Sequence, residues 1–343
     1  MKKVLILGEG ISTHRILKEI KGKYKIFVCG KKENNLKFSK DIKHIKIDYK
    51  DKEKTLYKIK KFGIDYIIPD GNDISYVSSS FIANKLNLIG FEKFNYTKTI
   101  HDKCLISKKL SKFKFYPRIF SAREINKDKK NFFPIIFRPR ITHSGINIKK
   151  INSLSEYRDL LKKNFFKNGI FNKFIKGKLF SHSFFINGNE TLDFFVKENQ
   201  QNFKVTLSEA PFLINDKEKK KIRKISNIIK DEFKLKGGLL HIQYLFNGKN
   251  YFFIEACRRC PGDFYGDLIR KAFKYNYYKN YANFFLGKKV EKLNNKRIEK
   301  FYRKTIFFKK ELVSLKKKKR NFNFFKSYQN YKKNRKIGVA IYK

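Results

Sequence analysis

Several residue types are scarce in this 343-residue chain, and each scarcity narrows the class of protein it can be. It contains no tryptophan, one methionine, six prolines and four cysteines. The cysteines are scattered (Cys29, Cys104, Cys257 and Cys260), which excludes a disulfide scaffold and is typical of a reducing cytoplasm. No run of about 18 apolar residues is present, so no membrane-spanning helix is expected. The basic residues at the start lead into an apolar run that is too short for a signal peptide.

Acidic residues are also scarce, with 30 against 82 basic residues and a formal net charge of +52. A field of this size would attract a nucleic acid, an anionic membrane or a nucleotide. The lysines are spread along the whole chain, however, and the abundance of Lys, Asn, Ile, Phe and Tyr is typical of an AT-rich genome. Drift in composition is therefore favoured over a selected polyanion partner. The 37 phenylalanines and 19 tyrosines predict a folded chain with a sizeable core, in about two or three domains.

The first 95 or so residues alternate between predicted strands and helices. Strands are predicted at 3–7, 25–29, 65–69 and, shorter, 88–90, with helices at 12–20 and 75–86. Such alternation predicts a parallel sheet with helices on both of its faces.

The first predicted strand ends in Gly8-Glu9-Gly10, a pattern that also opens dinucleotide-binding sites. The third glycine position of that pattern carries Thr13. After the second strand the sequence reads Gly30-Lys31-Lys32, with no acid to bind a ribose. We therefore interpret residues 8–10 as a tight strand-to-helix turn rather than as an NAD site.

The middle of the chain carries a charged residue inside an apolar strand. Residues 132–140 are predicted to form this strand, with Arg138 at an otherwise apolar position. Burying a cation there is costly unless an anion meets it. A polar loop follows at 142–145, and the backbone N–H groups of such a loop can bind phosphate oxygens. Together these features indicate an anion-binding site.

An antiparallel pattern occupies the second half of the chain. Strands are predicted at 169–175, 179–186, 192–196, 203–207, 239–246, 251–255 and 337–342, with helices at 217–233 and 267–286. The Asn247-Gly248 turn joins two of these strands in a tight hairpin. That hairpin predicts that Gln243 and Glu255 lie on paired strands and face the same ligand. His182 and His241 are predicted to be hydrogen-bonded histidines of the sheet rather than catalytic bases.

The most informative segment is 251–263, where a strand leads into Glu255, then Arg258 and Arg259, and then a Pro-Gly turn. A carboxylate at a strand end can hold a hard divalent cation through oxygen. An arginine a few residues later can clamp phosphate oxygens. Metal and phosphate ligands in one segment indicate nucleotide chemistry, and a buried ion pair is the alternative. The Cys257-x-x-Cys260 spacing lacks the second pair that a zinc site would need.

The order of these features resembles that of the ATP-grasp carboxylate–amine ligases, over about residues 1 to 290. Residues 70–76 are similar to the end of the N-terminal sheet in one subgroup of that superfamily. Residues 134–145 resemble the strand and loop that hold the ATP phosphates. Residues 239–262 resemble the metal-binding hairpin and its terminal arginine.

The resemblance implies a fold of mixed α/β and α+β class. A Rossmann-like parallel sheet (residues 1–95) would precede a two-lobed ATP-grasp domain (96–290), with a small lobe at about 115–180 and a large lobe at about 180–290. The basic segment 291–343 would pack on that domain. ATP would lie between two antiparallel sheets with Mg²⁺ bridging its phosphates. A carboxylate would then be activated as an acyl phosphate and joined to an amine.

The resemblance also implies roles for particular residues. The site residues carried over are Arg259 (catalytic), Lys103, Arg138, Ser144, Gly145, Lys173, Phe174 and Ile175 (ATP-binding), and Gln243, Glu255 and Asp263 (metal). The sequence departs from the family pattern at several positions: Gln243 stands where Glu or Asp is usual, Cys257 where Asn is frequent, Lys173 where Glu is frequent, and Leu179 where many members bind ribose through an acid. Because Mg²⁺ prefers oxygen ligands, the Cys257 thiol would be a poor donor.

Two functions are carried forward. The favoured hypothesis is a cytoplasmic ATP-dependent ligase whose partners are a small-molecule carboxylate and an amine, with a homodimer left open. The alternative is a non-catalytic nucleotide- or nucleic-acid-binding protein on an ATP-grasp scaffold, motivated by the charge and by a C-terminal segment that mixes basic and aromatic residues. The basic residues are not concentrated in one block, which favours the first hypothesis.

Overall fold

The computed structural model describes residues 1–31, 41–127, 132–142, 145–163, 166, 168–188, 190–293, 298–326 and 336–343. The strands of these ranges form a four-stranded parallel sheet, a four-stranded antiparallel sheet and an eight-stranded antiparallel sheet. This mixed α/β architecture confirms the predicted fold class. Among the described residues, no helix is both long and apolar enough to cross a membrane.

The parallel sheet occupies the N-terminal part of the chain. Its strands are β1 (Lys3–Leu7), β2 (Lys25–Gly30), β3 (Ile42–Lys46) and β4 (Tyr66–Pro69), in the order β3-β2-β1-β4. The helices that follow these strands are α1 (Ile11–Ile20), α2 (Lys52–Lys60) and α3 (Asp73–Lys85). The apolar runs of β1 and β2 are buried because helices cover both faces of the sheet.

One predicted strand of this region is wrong and another was missed. Residues 88–90 are not a strand, and the left-handed backbone at Asn87 and Gly90 turns the chain there (φ 53° and 96°). The missing strand is β3, which lies at the edge of the sheet and carries only two apolar residues, Ile42 and Ile45. An edge strand needs few apolar residues, so its sequence gives a weak signal.

The carboxylate of Asp70 closes the turn between β1 and α1. It accepts hydrogen bonds from the backbone N–H of Gly10 (2.8 Å) and of Thr13 (3.1 Å). A Cβ atom at Gly8 or Gly10 would lie 2.4 Å from an atom of the Asp70 side chain. The carboxylate therefore occupies the N-terminus of α1, where a dinucleotide-binding domain would bind pyrophosphate. This geometry agrees with the interpretation of residues 8–10 as a tight turn.

The small antiparallel sheet and its helices follow. Its strands are β5 (Ile119–Phe120), β6 (Ile135–Pro139), β7 (Lys149–Ile151) and β8 (Gly169–Lys173), in the order β5-β8-β6-β7. Helices α4 (Phe94–Ile100) and α5 (Lys103–Leu110) lead into it, and α6 (Ala122–Lys127) and α7 (Leu154–Leu161) belong to it. Phe137, Ile151 and Tyr157 are fully buried in its core.

The large antiparallel sheet spans the rest of the chain. Its strands are β9 (Lys178–Asn187), β10 (Glu190–Gln201), β11 (Lys204–Ala210), β12 (Gly237–Phe246), β13 (Tyr251–Cys257), β14 (Phe301–Ile306), β15 (Asn323–Lys326) and β16 (Gly338–Tyr342), in the order β13-β12-β9-β10-β11-β14-β16-β15. Helix α8 (Asp216–Glu232) packs on an apolar face that includes Phe184, Tyr244 and Phe253. The last three strands thus extend the sheet that carries the β12–β13 hairpin.

The single helix predicted at 267–286 is two helices, α9 (Tyr265–Phe273) and α10 (Tyr277–Phe285). Lys274 has a left-handed backbone conformation (φ 53°) that ends α9. The apolar pattern continues through the break because both helices are buried in one core cluster, which also contains Ile6 of β1 and Leu239 of β12. The parallel sheet and the large sheet therefore share a core. Helix α11 (Lys309–Lys318) lies near the C-terminus.

Phe285 connects the two parts of this shared core, and its removal should destabilise the whole chain. Its ring is 1% exposed and packs against Tyr76 of α3 and Phe91. We expect Phe285→Ala to lower the free energy of unfolding by about 3–5 kcal/mol through the cavity it leaves. Urea denaturation followed by circular dichroism measures this change. Phe308→Ala, at a position that is 53% exposed, is the matched control and should change it by less than about 1 kcal/mol.

Candidate functional site

A pocket forms where the N-terminal part of the chain, the small sheet and the β12–β13 hairpin meet. Its polar lining consists of Asp73, His101, Lys103, Arg138, Glu255 and Arg259. These residues come from α3, the α4–α5 junction, β6, β13 and the turn after β13. Four of them were predicted as site residues, and the structure brings all four together: Lys103, Arg138, Glu255 and Arg259.

Glu255 occupies the position that the hairpin predicts. It pairs with Gln243 across β12 and β13. Its carboxylate is 43% exposed, and its Oε2 atom lies 3.7 Å from the Lys103 ammonium. The Lys103 ammonium also donates a hydrogen bond to the Thr142 carbonyl (3.2 Å). The pocket therefore contains an accessible carboxylate beside a cation that belongs to helix α5.

Arg138 is a buried cation, 4% exposed, and is the fourth of the five residues of β6. Its guanidinium donates to the carbonyl of Ile254, where an irregularity in the β12–β13 pairing leaves one residue outside the ladder. Within the described ranges, no carboxylate lies within 4 Å of this guanidinium. A buried cation without a charge partner indicates that an anionic ligand completes the site.

Arg259 is held by the N-terminal part of the chain. Its Nε and Nη2 atoms lie 2.9 and 3.2 Å from the two carboxylate oxygens of Asp73. His101 Nδ1 lies 3.0 Å from Asp73 Oδ1. Burial opposes ionisation of Asp73, but Arg259 and His101 together hold the pKa of its carboxyl well below the usual value. The two-point contact fixes the plane of the guanidinium at the edge of the pocket.

The neighbouring Arg258 makes a second link to the same part of the chain. Its guanidinium is 2% exposed, lies 3.3 Å from the Glu92 carboxylate, and donates to the carbonyls of Gly237 and Leu239. The backbone after β13 also lies close to the N-terminal part of the chain, because a Cβ atom at Gly71 would lie 3.2 Å from the Cys260 carbonyl. Two consecutive arginines thus form ion pairs between the end of β13 and the N-terminal part of the chain.

The predicted ATP-binding residues Lys173, Phe174 and Ile175 lie between the two antiparallel sheets but do not line this pocket. Lys173, at the end of β8, is exposed, and its backbone N–H donates to the Arg118 carbonyl (2.8 Å). The Phe174 ring lies 4.9 Å from the Lys150 ammonium, and Ile175 is half-buried. These residues connect the small sheet to β9 of the large sheet.

Gly145, the described residue at the end of the predicted phosphate loop, lies close to the large sheet. Gly145 has φ 69°, and a Cβ atom there would lie 2.3 Å from the carbonyl oxygen of Phe203. A side chain at this position would clash with the turn between β10 and β11. The predicted residue Ser144 lies outside the described residues.

Two predicted metal ligands have other partners in this structure. Gln243 donates through Nε2 to Glu198 (2.7 Å). Asp263 does not line the pocket among the described residues, and its carboxylate contacts Lys336 and Arg303. Burial raises the pKa of the Cys257 thiol to about 12. A protonated thiol is a poor ligand for a hard cation, as the sequence predicts.

Glu198 and Arg303 are buried charges that the sequence interpretation missed. Glu198 of β10 also accepts from Ser181 Oγ (3.2 Å), and Arg303 of β14 donates to the Asp263 carbonyl (3.0 Å). Burial raises the pKa of Glu198 to about 7, although Arg303 and the hydrogen bonds lower it. Neither lies in a strand that the sequence predicts, since Glu198 falls beyond the strand predicted at 192–196 and no strand is predicted at 301–306. The signal that identified Arg138, a charge inside a predicted apolar strand, therefore could not find either residue.

His182 and His241 are buried and hydrogen-bonded, as predicted. His182 contacts Asp193 (2.6 Å) and Ser226 (2.8 Å), and His241 contacts Ser183 (2.6 Å). Burial lowers the pKa of His241 to about 3, so the ring is neutral at physiological pH.

No protein-family model matches the sequence, and no curated protein matches it. Solved structures do match. An L-amino acid ligase from Bacillus licheniformis superposes with a TM-score of 0.79 at 13% identity, covering 100% of this chain and 93% of that one. N5-carboxyaminoimidazole synthetase from Staphylococcus aureus, complexed with ADP, gives 0.79 at 15% identity, covering 99% and 92%. Phosphoribosylglycinamide synthetase from Anaerococcus prevotii gives 0.74 at 16%, covering 99% and 93%. The chain therefore has the ATP-grasp fold.

The raised pKa of Glu198 predicts a dependence of stability on pH. The folded chain binds this proton more tightly than the unfolded chain, where the pKa is near 4.5. The resulting stabilisation is complete below about pH 4.5 and is lost as the pH rises through about 7. Relative to Glu198→Gln, the wild type should lose roughly 2 to 3 kcal/mol of unfolding free energy over this interval.

Urea denaturation at several pH values, without nucleotide or metal, measures this difference. The control variant is Glu53→Gln, because Glu53 is exposed in the first turn of α2 and should leave the wild-type profile unchanged. Parallel profiles for the wild type and Glu198→Gln would show that Glu198 titrates normally.

Proposed function

We propose that this protein is an ATP-dependent ligase that activates a carboxylate as an acyl phosphate and joins it to an amine or a similar nucleophile, releasing ADP. The observation that carries the proposal is the convergence of Lys103, Arg138, Glu255 and Arg259 on one pocket. Three cations around one accessible carboxylate match the charges of a triphosphate bound with a divalent cation. Among the structures of the same fold, one is an amino acid ligase and another is complexed with ADP.

ATP would be held mainly through its phosphates. Lys103 and Arg138 are the proposed phosphate ligands, because both cations line the pocket and no carboxylate of the described residues pairs with Arg138. The loop that contains Ser144 and Gly145 would contribute backbone N–H groups. Lys173, Phe174 and Ile175, between the two antiparallel sheets, would contact the rest of the nucleotide.

Glu255 fits a magnesium ion that arrives with the nucleotide. Mg²⁺ usually takes one or two carboxylates and completes its coordination with water and substrate phosphates. No group of three or more His, Cys, Asp or Glu residues in the described part of the chain could hold a metal ion by itself. Gln243 is a proposed second oxygen ligand, whereas Asp263 would first have to leave Lys336 and Arg303. When bound, Mg²⁺ neutralises charge on the phosphates.

The remaining residues account for the two chemical steps. A carboxylate oxygen attacks the γ-phosphorus, and the bond to the β–γ bridging oxygen breaks as ADP leaves. The amine then attacks the acyl carbon, the carbon–oxygen bond to phosphate breaks, and the amine loses a proton. Arg259, oriented by Asp73, is the proposed cation that stabilises charge on the transferred phosphoryl group.

Calorimetry with ATP tests this proposal on the wild type and on Glu255→Gln, each with and without Mg²⁺. We expect binding that Mg²⁺ strengthens and a loss of at least about tenfold in Mg²⁺-dependent affinity in the variant, since it removes the accessible carboxylate. Glu53→Gln serves as the charge-matched control and should behave as the wild type.

Two results would count against the ligase. An ATP affinity that changes neither with Mg²⁺ nor with the Glu255→Gln substitution would indicate a non-catalytic nucleotide sensor. Absence of ATP binding would remove the basis of the proposal.

A further inference from the structure

One residue that lines the pocket has a polar atom without a hydrogen-bond partner among the described residues. His101 lies between α4 and α5, its side chain is 2% exposed, and it lines the pocket with Lys103 and Arg259. Its Nε2 atom is buried and makes no hydrogen bond to any described residue. Leaving a buried polar atom without a partner is unfavourable, so a ligand that forms a hydrogen bond with Nε2 would bind more tightly.

Contacts on two sides fix the orientation of the imidazole. Nδ1 lies 3.0 Å from the Asp73 carboxylate, which is ionised and can only accept, so Nδ1 carries a hydrogen. The ring stacks on Tyr76 with centroids 5.2 Å apart, and the Tyr76 hydroxyl donates to Glu92 (3.1 Å). Since Asp73 holds one nitrogen, Nε2 is the nitrogen that remains without a partner among the described residues.

The surroundings of Nε2 indicate the chemistry of that ligand. Lys103, Arg138 and Arg259 line the same pocket, so its occupant is an anion. An anion at Nε2 would place the ring between two negative groups, because Asp73 already lies at Nδ1. Because Nδ1 keeps its hydrogen toward Asp73, a hydrogen bond from Nε2 to the ligand is made by a ring that carries a hydrogen on both nitrogens.

We propose that His101 is a nucleotide-binding residue whose Nε2 donates a hydrogen bond to the γ-phosphoryl group of bound ATP. The inference rests on the proposed function and adds to it a residue that discriminates the triphosphate from ADP. Arg259 and His101 share the Asp73 carboxylate, so one acid orients two donors toward the phosphoryl group that is transferred.

A pair of substitutions separates this contact from a structural role. His101→Asn retains an amide donor near Nδ1 for Asp73 but has no atom at the Nε2 position. His101→Gln carries its amide nitrogen near the Nε2 position. Calorimetry is done with Mg²⁺ and either ADP or a non-hydrolysable ATP analogue in which nitrogen replaces the β–γ bridging oxygen.

We expect the Asn variant to lose about tenfold in affinity for the analogue, the size of one hydrogen bond to a charged group, with ADP affinity unchanged. The Gln variant should recover most of that loss. If the Asn variant kept the wild-type ratio of analogue affinity to ADP affinity, whether or not both affinities fell, the inference would be overturned and the proposed function would stand. If the wild type bound neither nucleotide, the proposed function would fail and this inference with it.

A second measurement follows ligand binding in the wild type alone. Nitrogen-15 NMR of the wild-type imidazoles, with the His101 signals identified by their absence in His101→Asn, should show a shift of Nε2 with the Mg²⁺–analogue complex but not with Mg²⁺–ADP. The His182 signals are the internal control, because that ring is hydrogen-bonded elsewhere. A His101 signal that responds identically to both nucleotides would contradict the γ-phosphoryl contact.

Discussion

The rest of the structure depends on the placement of two consecutive arginines where β13 ends. Arg258 is almost fully buried, and removing the anion from such a pair typically costs about 3–5 kcal/mol, so Glu92 must remain beside it. Arg259, 15% exposed, makes a two-point contact with Asp73. Neither anion belongs to the sheet that carries the arginines. The end of β13 is therefore complete only when the N-terminal part of the chain is docked on it.

This constraint explains why the pocket is built from distant segments. Docking brings Asp73 and His101 to the end of β13, and α5 brings Lys103 to within 3.7 Å of Glu255. The proposed phosphate ligands therefore converge without a glycine-rich loop. Each of the three pocket cations makes a specific contact there. Their presence is therefore explained without a polyanionic partner for the chain.

Features that depend on one segment, such as a hairpin or a charge in a strand, could be predicted from the sequence. Contacts between residues of distant segments could not. The Asn247-Gly248 turn predicted that Gln243 and Glu255 lie on paired strands, and Arg138 stood out as a charge in an apolar strand. The irregularity at Ile254, which places Glu255 directly opposite Gln243, gave no signal in the sequence. The break at Lys274 escaped detection because two buried helices in succession keep one apolar pattern. The Asp73–Arg259 pair joins residues 186 positions apart, and no spacing rule gives that distance. The roles proposed for Asp73 and His101 could be inferred only once the fold had brought these residues together.

The most direct test is a crystal structure of the protein with Mg²⁺ and the non-hydrolysable ATP analogue. The account predicts phosphate oxygens within about 3 Å of Lys103, Arg138 and Arg259, and the metal ion on Glu255. It also predicts that Asp73 still holds Arg259 in that complex. A nucleotide bound elsewhere, or a triphosphate in this pocket that contacts none of the three cations, would contradict it.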